Sequence, residues 1–465
     1  MMSKNNAGII SIIGLFLISN IVFLSYYDDV WWDSSVYIGM GKYIYSSGES
    51  GIWEESRPLV LPLILGAGWL IGLDIVYFGR IISLVFAILM IYVTYTIGTK
   101  LFSKKIALLA AFFTAFSYDF LFFSPNILTE IPSTLFVLLA FYYFLEKRFF
   151  LVGMFSGLAL MTRLFQIFSL IGLGFVFIAY FCGKPGFARK LLSIILGASI
   201  LILPYFLLNY YLYNDLLLPF QVQTHLTKTT GWMNYHELSF YITVLIKENF
   251  FLVFLLALPF YLKKNYRFFA LMAIPLIYIL IFSSVSHKEM RYMIVILPFL
   301  YLLTSYCIMN MYAKIRSRRL AFAGFSVMII AWLMISLLSL ADAAAYTSQR
   351  NDEGLQYFRD YLKNNEGNIW ITNPLYALYS DEDIEGLLYF YSSENLIEFA
   401  GKNMDKVDII LFNSCDIPCP PEEMDSLCGE SRKVLNKIMY NLEQIYEKEI
   451  NSCKYKIFRK SISLP

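Results

Sequence analysis

Residues 8–37 read GIISIIGLFLISNIVFLSYYDDVWWDSSVY, an apolar run of 20 residues followed directly by aspartates and tryptophans. About 20 mainly apolar residues are what a helix needs to cross the hydrocarbon core of a bilayer. The rest of the chain has the same character, because 58% of its 465 residues are hydrophobic and 15% are charged, whereas about a quarter are charged in soluble domains. The sequence therefore predicts a polytopic α-helical protein embedded in a lipid bilayer. Its net charge of +2 argues against a nucleic-acid partner.

Further apolar runs, bounded by charges or by proline and glycine, bring the predicted transmembrane helices to about 11. They cover residues 8–27, 75–98, 106–123, 127–145, 149–162, 164–181, 191–208, 246–262, 268–285, 291–312 and 320–341. Residues 58–73 are also apolar, but counting them as a crossing would place the later basic loops on the opposite side. We interpret this stretch as a segment that dips into the membrane or lies at its interface.

Basic residues identify the cytoplasmic side, since short cytoplasmic loops carry an excess of lysine and arginine. With a cytoplasmic N-terminus, one side collects 16 of the 24 lysines and arginines in residues 1–341, but of the 14 acids there only Glu146. The opposite side is then the exterior or a lumen, and an odd number of crossings places the C-terminal tail there. We predict a multi-pass protein of the plasma membrane whose active site and tail are extracytoplasmic.

The tail has a different composition, with 13 lysines and arginines against 21 acids in residues 342–465. We therefore divide the chain into a transmembrane domain, residues 1–341, and a small soluble α/β domain, residues 342–465. Helical stretches alternate with short apolar runs in the tail, and the last helix is predicted over residues 430–450. The tail also holds Cys415, Cys419, Cys428 and Cys453. An even set of cysteines in an exoplasmic domain favours disulfides over free thiols or a zinc site without histidines.

The first outer loop, residues 28–57, belongs to the transmembrane domain in this division and carries the densest group of acids. Asp28, Asp29 and Asp33 lie within six residues, directly after a membrane helix. Carboxylates at this position are candidates for a catalytic base or for substrate ligands. Alternatively, the neighbouring tryptophan pair forms an interfacial aromatic belt and the aspartates are solvated loop residues.

A second group of ionisable residues joins two predicted membrane helices by a very short turn. His287, Lys288, Glu289 and Arg291 occupy four of five consecutive positions. Such groups are costly in hydrocarbon and are usually paired or functional. The alternative is a hairpin tip whose long side chains reach the interface and only cap the helix ends.

Two single residues complete the candidates. Glu130 lies at the predicted exoplasmic start of a helix, where a carboxylate is also favoured by the helix dipole. Arg163 interrupts a long apolar run at the predicted outer surface, where an ordinary interfacial arginine is the alternative. With three histidines in the chain, the sequence offers no convincing metal site, and we assign no metal ligand.

Together these segments resemble the C-type (GT-C) integral membrane glycosyltransferases, whose donors are polyprenyl- or dolichyl-phosphate-linked sugars. The family's first outer loop carries an Asp-Glu motif followed shortly by Tyr, and Trp32–Tyr37 fits that position. Asp33 is then the acid, and Ser34 stands where Glu is usual. Arg57, followed by Pro58 and the dipping segment, resembles the family's Lys/Arg-Pro-Pro stretch.

The later segments extend the resemblance to roughly residues 1–340. Leu128–Pro132, which contains Glu130, looks like the family's second acidic site. His287–Tyr292 is similar to the His-Lys-Glu-x-Arg-Phe signature of dolichyl-phosphate-mannose-dependent mannosyltransferases. The resemblance implies a mannosyltransferase-like enzyme with about 11 transmembrane helices.

A mechanism can be written on these positions. A sugar hydroxyl attacks efficiently only if its proton is removed, and a nearby carboxylate can accept it. The departing lipid phosphate needs cations aimed at its growing charge. Direct attack inverts the anomeric carbon and requires no covalent intermediate. We predict as catalytic residues Asp33, the base, with Asp29 and Glu130, and as substrate-binding residues Asp28, Arg57, Arg163, His287, Lys288, Glu289 and Arg291. Glu130, Asp28 and Asp29 orient the acceptor or the base, or bind a divalent cation.

Two other functional classes fit parts of the sequence. A secondary transporter also has many crossings, but it tends to place ionisable residues near the bilayer midplane and to show repeated halves. A non-catalytic scaffold would use the tail to recognise carbohydrate and the helices as an anchor. For the enzyme, the acceptor is left open as a glycan, a lipid or a protein.

Overall fold

The computed structural model describes residues 7–27, 29–229, 235–285, 287–348, 353–362, 365, 367–381, 384, 386–388, 393–416, 419, 427–450 and 452–460. Helices dominate this part of the chain, and a small sheet forms near its C-terminus. This confirms the predicted class, a polytopic helical protein with a small C-terminal α/β portion.

The described α-helices, numbered in chain order, are α1 (Ala7–Leu24), α2 (Trp32–Tyr45), α3 (Val60–Leu70), α4 (Ile75–Leu101), α5 (Lys104–Phe116), α6 (Tyr118–Phe123), α7 (Glu130–Leu145), α8 (Phe149–Thr162), α9 (Ile167–Phe181), α10 (Phe187–Tyr213), α11 (Leu218–Thr229), α12 (Phe240–Glu248), α13 (Tyr266–Ser283), α14 (Leu297–Lys314), α15 (Arg318–Ser348), α16 (Glu353–Leu362), α17 (Ser393–Asn403) and α18 (Cys428–Tyr440). Shorter-pitch 3₁₀ helices cover Leu164–Gln166, Phe250–Tyr261, Met290–Val295 and Pro374–Leu378. The strands are β1 (Ile369–Ile371), β2 (Gly386–Leu387), β3 (Ile409–Asn413), β4 (Glu443–Ile450) and β5 (Cys453–Arg459).

Among the described residues, six helices are long and apolar enough to cross a membrane by length and composition. They cover Ala7–Leu24, Ile75–Leu101, Leu164–Phe181, Phe187–Tyr213, Tyr266–Ser283 and Arg319–Ala345. The helix pair Phe240–Glu248 and Phe250–Tyr261, bent by 106°, would make a seventh if it counts as one span. The predicted number of 11 is therefore approximate. Some predicted spans are broken, as at Ser117, where α5 ends and α6 begins.

The apolar stretch after the first loop forms the short helix α3, whose 11 residues correspond to a length of about 16 Å at 1.5 Å per residue. That is about half of the hydrocarbon core. Helix α3 packs against α2. The contact is close at Gly41 and Gly66, since a Cβ added at Gly41 would lie 2.7 Å from the Gly66 backbone nitrogen.

The chain folds into two compact units that cross the predicted domain boundary. The membrane unit consists of Met1–Asp28, Arg80–Leu217 and Tyr235–Gln349. The second unit, which we call the tail unit, consists of Asp29–Gly79, Leu218–Asn234 and Arg350–Pro465. The compact units thus do not follow a single boundary at residue 341, because the first loop packs with the tail.

The membrane unit is held together by close helix packing and by aromatic contacts. Helices α8 and α10 approach each other at glycines, where a Cβ at Gly153 or Gly197 would overlap the backbone of the opposite helix. Small residues at such positions are the usual means of tight helix association in lipid. Phe113 stacks on Phe251 with ring centroids 3.9 Å apart, and Trp332 packs edge-on against both rings.

The tail unit contains a five-stranded sheet in the order β2-β1-β3-β5-β4. Strand β1 pairs in parallel with β2 and β3, whereas β5 pairs antiparallel with β3 and β4. The helix predicted over residues 430–450 ends at Tyr440, and Glu443–Ile450 is the edge strand β4. The prediction was wrong there, because pairing with β5 outweighs the helix propensity of the glutamates and lysines in this segment.

One face of the sheet packs against the first loop. Val36 and Met40 from α2, with Ile52 after it, share a buried core with Ile369 and Leu411 of the sheet. The apolar face of α2 is therefore covered by protein of the same unit.

Two disulfides link the cysteines of the tail unit, Cys415 to Cys453 and Cys419 to Cys428. Their sequence separations are 38 and 9 residues. Loop closure of these lengths stabilises the folded state by about 4 and about 2.5 kcal/mol, respectively. The longer link joins the end of β3 to the start of β5 and is the stronger constraint on the sheet.

Candidate active site

Two polar clusters contain most of the residues singled out in the sequence, one in each unit. The loop cluster, in the tail unit, consists of Asp33, Tyr37, Glu54 and Arg57. The arginine cluster, in the membrane unit, consists of Glu130, Arg163, His287, Glu289 and Arg291.

The loop cluster is organised around Arg57. Its Nη2 atom lies 2.7 Å from Oδ1 of Asp33, and its Nε atom lies 2.9 Å from Oε1 of Glu54. Its Nη1 atom donates to the Tyr37 hydroxyl at 3.3 Å. The Asp33 and Arg57 side chains are 15% and 17% exposed, so the ion pair is shielded but within reach of solvent.

Helix α2 explains why these groups meet. Asp33 lies in the first turn of α2, where a carboxylate is favoured by the helix dipole. Tyr37 follows four residues later on the same helix face. Although burial opposes the charge on Arg57, the carboxylates of Asp33 and Glu54 hold its pKa well above the ordinary value. Arg57 is therefore a permanent cation at this end of the helix.

The other end of α2 is fixed by Lys42. Its Nζ atom donates to the carbonyl oxygens of Ala377, Leu378 and Ser380 at 3.2, 3.3 and 2.9 Å, and to Asp381 Oδ1 at 2.9 Å. Burial lowers the pKa of Lys42, whereas the Asp381 carboxylate acts in the opposite direction. Both ends of the helix that carries Asp33 are thus tied within the tail unit.

The other two aspartates predicted in the first loop are Asp28 and Asp29. Asp29 lies in the irregular segment that precedes α2. Asp28 lies outside the described residues. The roles assigned to both stay predictions.

The arginine cluster brings together residues from three separate places in the chain. Glu130 begins α7, Arg163 follows the end of α8, and Arg291 lies in the 3₁₀ segment before α14. Arg163 Nη1 lies 2.8 Å from Glu130 Oε1, and Arg291 Nε lies 3.6 Å from the same oxygen. Glu130 is 1% exposed and the arginines 11% and 12%, so two nearly buried cations converge on one buried carboxylate.

Glu289 completes this cluster. Its Oε2 atom lies 2.6 Å from Arg291 Nε, and its Oε1 atom lies 2.7 Å from His287 Nε2. Tyr292 donates its hydroxyl to Oε1 at 3.0 Å. Burial alone would raise the pKa of Glu289, but the charge of Arg291 and the hydrogen bonds from His287 and Arg291 lower it to about 2. Glu289 is therefore ionised at neutral pH and orients the cluster rather than accepting a proton.

Lys288 does not join the arginine cluster. Its Nζ atom donates to the carbonyl oxygen of His236 at 2.7 Å, and burial lowers its pKa. Glu289 has extended backbone angles, φ −132° and ψ 143°. Side chains alternate in direction along an extended segment, which explains why His287, Glu289 and Arg291 meet while Lys288 does not.

Glu54 was not among the predicted site residues, although it lies in the first outer loop. The available signal is its position three residues before Arg57, a spacing at which opposite charges can meet in a turn. Thr129 was not among the predicted site residues either, and its hydroxyl oxygen lies 3.2 Å from Arg163 Nη1. Within the described part of the chain, no group of three or more His, Cys, Asp or Glu side chains is arranged to hold a metal ion.

Comparisons with known proteins identify the family and the fold. The sequence profile of the Alg9-like mannosyltransferase family matches residues 5–378. No curated protein matches the chain.

Among solved structures, the chain resembles ArnT from Cupriavidus metallidurans bound to undecaprenyl phosphate, with a TM-score of 0.69, 10% identity and coverage of 98% of this chain and 99% of that one. It also resembles the archaeal oligosaccharyltransferase AglB from Archaeoglobus fulgidus, in complex with an inhibitory peptide and a dolichol-phosphate. There the TM-score is 0.64 at 11% identity, with coverage of 98% of this chain and 75% of that one. At such identities these likenesses concern the fold.

The resemblance to GT-C enzymes that the sequence motifs suggested is thus confirmed by the family profile and by the fold of the whole chain. Since that profile covers most of the sequence, including the residues of both clusters, the chain is a membrane glycosyltransferase and belongs to the Alg9-like mannosyltransferase family.

Proposed function

We propose that the chain transfers a hexose, most naturally mannose, from a polyprenyl- or dolichyl-phosphate carrier to an acceptor hydroxyl on the extracytoplasmic side of the plasma membrane. The arginine cluster carries this proposal, because two nearly buried guanidinium groups suit a phosphate-bearing donor. The family supports the sugar, and the undecaprenyl phosphate and dolichol-phosphate bound to ArnT and AglB support the carrier.

In the proposed reaction the acceptor hydroxyl oxygen attacks the anomeric carbon while the bond from that carbon to the phosphate oxygen breaks. The electron pair of the broken bond leaves with the lipid phosphate. Asp33, which is ion-paired with Arg57, accepts the hydroxyl proton. Attack in a single step inverts the configuration at the anomeric carbon.

The leaving phosphate gains negative charge as the bond breaks, so cations fixed beforehand lower the barrier. Arg163 and Arg291 supply that charge, and Arg57 holds the base, Asp33, through an ion pair of 2.7 Å. Glu130 and Glu289 hold the arginines in place, and His287 fixes Glu289.

The acidic residues of the first loop take supporting roles. Asp28 and Asp29 orient the acceptor or the base, Asp33, or they bind a divalent cation. The acceptor is a glycan, a lipid or a protein that presents a hydroxyl group.

Membranes that contain the chain, supplied with radiolabelled polyprenyl-phosphate mannose, test the proposal. We expect label to move from the lipid fraction into an acceptor, and membranes without the chain provide the control. Label that accumulates inside sealed vesicles without incorporation would instead identify a transporter and overturn the proposal. A chain that neither transfers nor transports the label would also contradict it.

A further inference from the structure

A buried tyrosine hydroxyl lies next to the arginine cluster without a hydrogen-bond partner. Tyr278, on α13, is 0% exposed, and its hydroxyl makes no hydrogen bond to any described residue. Buried polar groups are nearly always satisfied in native proteins, and each unexplained exception needs a reason. Phenylalanine would fill the same space without this cost, so the hydroxyl requires a partner beyond the residues that the structure describes.

Two more unsatisfied polar atoms lie in the same region. Glu130 is 1% exposed, and its Oε2 atom accepts no hydrogen bond from the described residues; Arg163 Nε likewise has no acceptor among them. The Tyr278 ring stacks on Phe282 with centroids 4.4 Å apart, and Phe282 lies 5.6 Å from the Tyr292 ring. The Arg163 guanidinium lies 5.0 Å over that same Tyr292 ring. The region therefore offers a hydroxyl, a carboxylate oxygen and an N–H group to a single ligand.

Each arginine of this region is held by a carboxylate. Arg163 is paired with Glu130 at 2.8 Å, and Arg291 is paired with Glu289 at 2.6 Å. Glu130 Oε2 accepts a hydrogen bond and Arg163 Nε donates one, so a ligand that contacts both must donate and accept. Sugar hydroxyls donate and accept at once, so they match a mixed set of donors and acceptors.

We infer that Tyr278, Glu130 and Arg163 form the subsite for the ring hydroxyls of the transferred sugar, and that Tyr278 is a specificity-determining contact. This inference rests on the proposed function. A site built to hydrogen-bond a substrate hydroxyl rejects an analogue that lacks it, because its polar groups are then left unpaired.

Tyr278→Phe tests the subsite, since it removes one oxygen and leaves the ring. Transfer is measured from polyprenyl-phosphate mannose and from three analogues, each lacking one of the ring hydroxyls at C2, C3 and C4. With the unchanged chain, we expect kcat/KM to fall roughly 10- to 100-fold for at least one analogue. In Tyr278→Phe, kcat/KM for the complete sugar should fall by a similar factor, and the preference over that analogue should disappear. The unfolding temperature of Tyr278→Phe should not fall, because the substitution removes a buried hydroxyl that makes no hydrogen bond to the described residues.

Tyr301→Phe is the matched control. Tyr301 is also fully buried in the membrane unit, but its hydroxyl donates to Asn249 Oδ1 at 2.9 Å. This variant should lower the unfolding temperature and leave the preference among the donors as it is in the unchanged chain.

Equal kcat/KM and equal donor preference in Tyr278→Phe and the unchanged chain would overturn the inference and indicate that only water reaches the hydroxyl. A lower unfolding temperature without a change in preference would make Tyr278 a structural residue and overturn it as well. If the unchanged chain transfers no sugar from any donor, the proposed function fails first, and the inference fails with it.

Discussion

Asp33→Asn should reduce sugar transfer by roughly two to four orders of magnitude, the usual contribution of a general base. Asparagine keeps the size and polarity of the side chain but does not accept the hydroxyl proton at neutral pH. The loop cluster should persist, because Arg57 keeps its contacts with Glu54 at 2.9 Å and with Tyr37 at 3.3 Å. The measurement is initial transfer from labelled polyprenyl-phosphate mannose, at equal amounts of folded protein.

Glu398→Gln is a suitable control, since it makes the same chemical change on an exposed helix of the tail unit. It should transfer sugar normally. Near-normal transfer by Asp33→Asn would remove Asp33 from the role of base, whereas a loss of folded protein would assign it a structural role through Arg57.

Arg291→Met should weaken the handling of the donor. Methionine fills much of the space of the arginine stem but removes the cation that lies 2.6 Å from Glu289 and 3.6 Å from Glu130. Charge-assisted hydrogen bonds contribute about 1.5 to 3 kcal/mol, so kcat/KM for the donor should fall roughly 10- to 150-fold. The pKa of Glu289 should also rise, because Arg291 is the main charge that lowers it.

Arg267→Met provides the comparison, because Arg267 packs over the Tyr266 ring, outside the arginine cluster. It should leave donor kinetics unchanged. If Arg291→Met had the same donor affinity and turnover as the unchanged chain, the assignment of Arg291 to the phosphate would be wrong.

The membrane class and most members of the two clusters were predictable, because both follow from local composition. Apolar runs of sufficient length predict spans, and dense charges between apolar helices predict function. The pairing of Asp33 with Arg57 was not predictable, since it requires the path of the loop between them. The convergence of Glu130, Arg163 and Arg291 likewise depends on helix packing that no local pattern encodes.

Two further differences have local causes. We grouped Lys288 with His287, Glu289 and Arg291 because the four residues are close in the sequence. Side chains alternate in direction along an extended segment, however, so Lys288 does not meet the other three. From the sequence we assigned no place to the apolar residues of the first loop, such as Val36, which belong to the core of the tail unit. Sequence alone does not distinguish an apolar residue that faces lipid from one that packs on a sheet distant in the chain.

The account predicts an extracytoplasmic position for the first loop, which carries Asp33, and likewise for the segment that carries His287. Glu49 is exposed in the first loop, and Tyr235, which is 68% exposed, pairs with His287. In a Cys182→Ser background, Glu49→Cys and Tyr235→Cys can be labelled in intact cells with a membrane-impermeant maleimide. The account predicts that both positions react from the outside. Reaction of the two positions from opposite faces of the bilayer would contradict it.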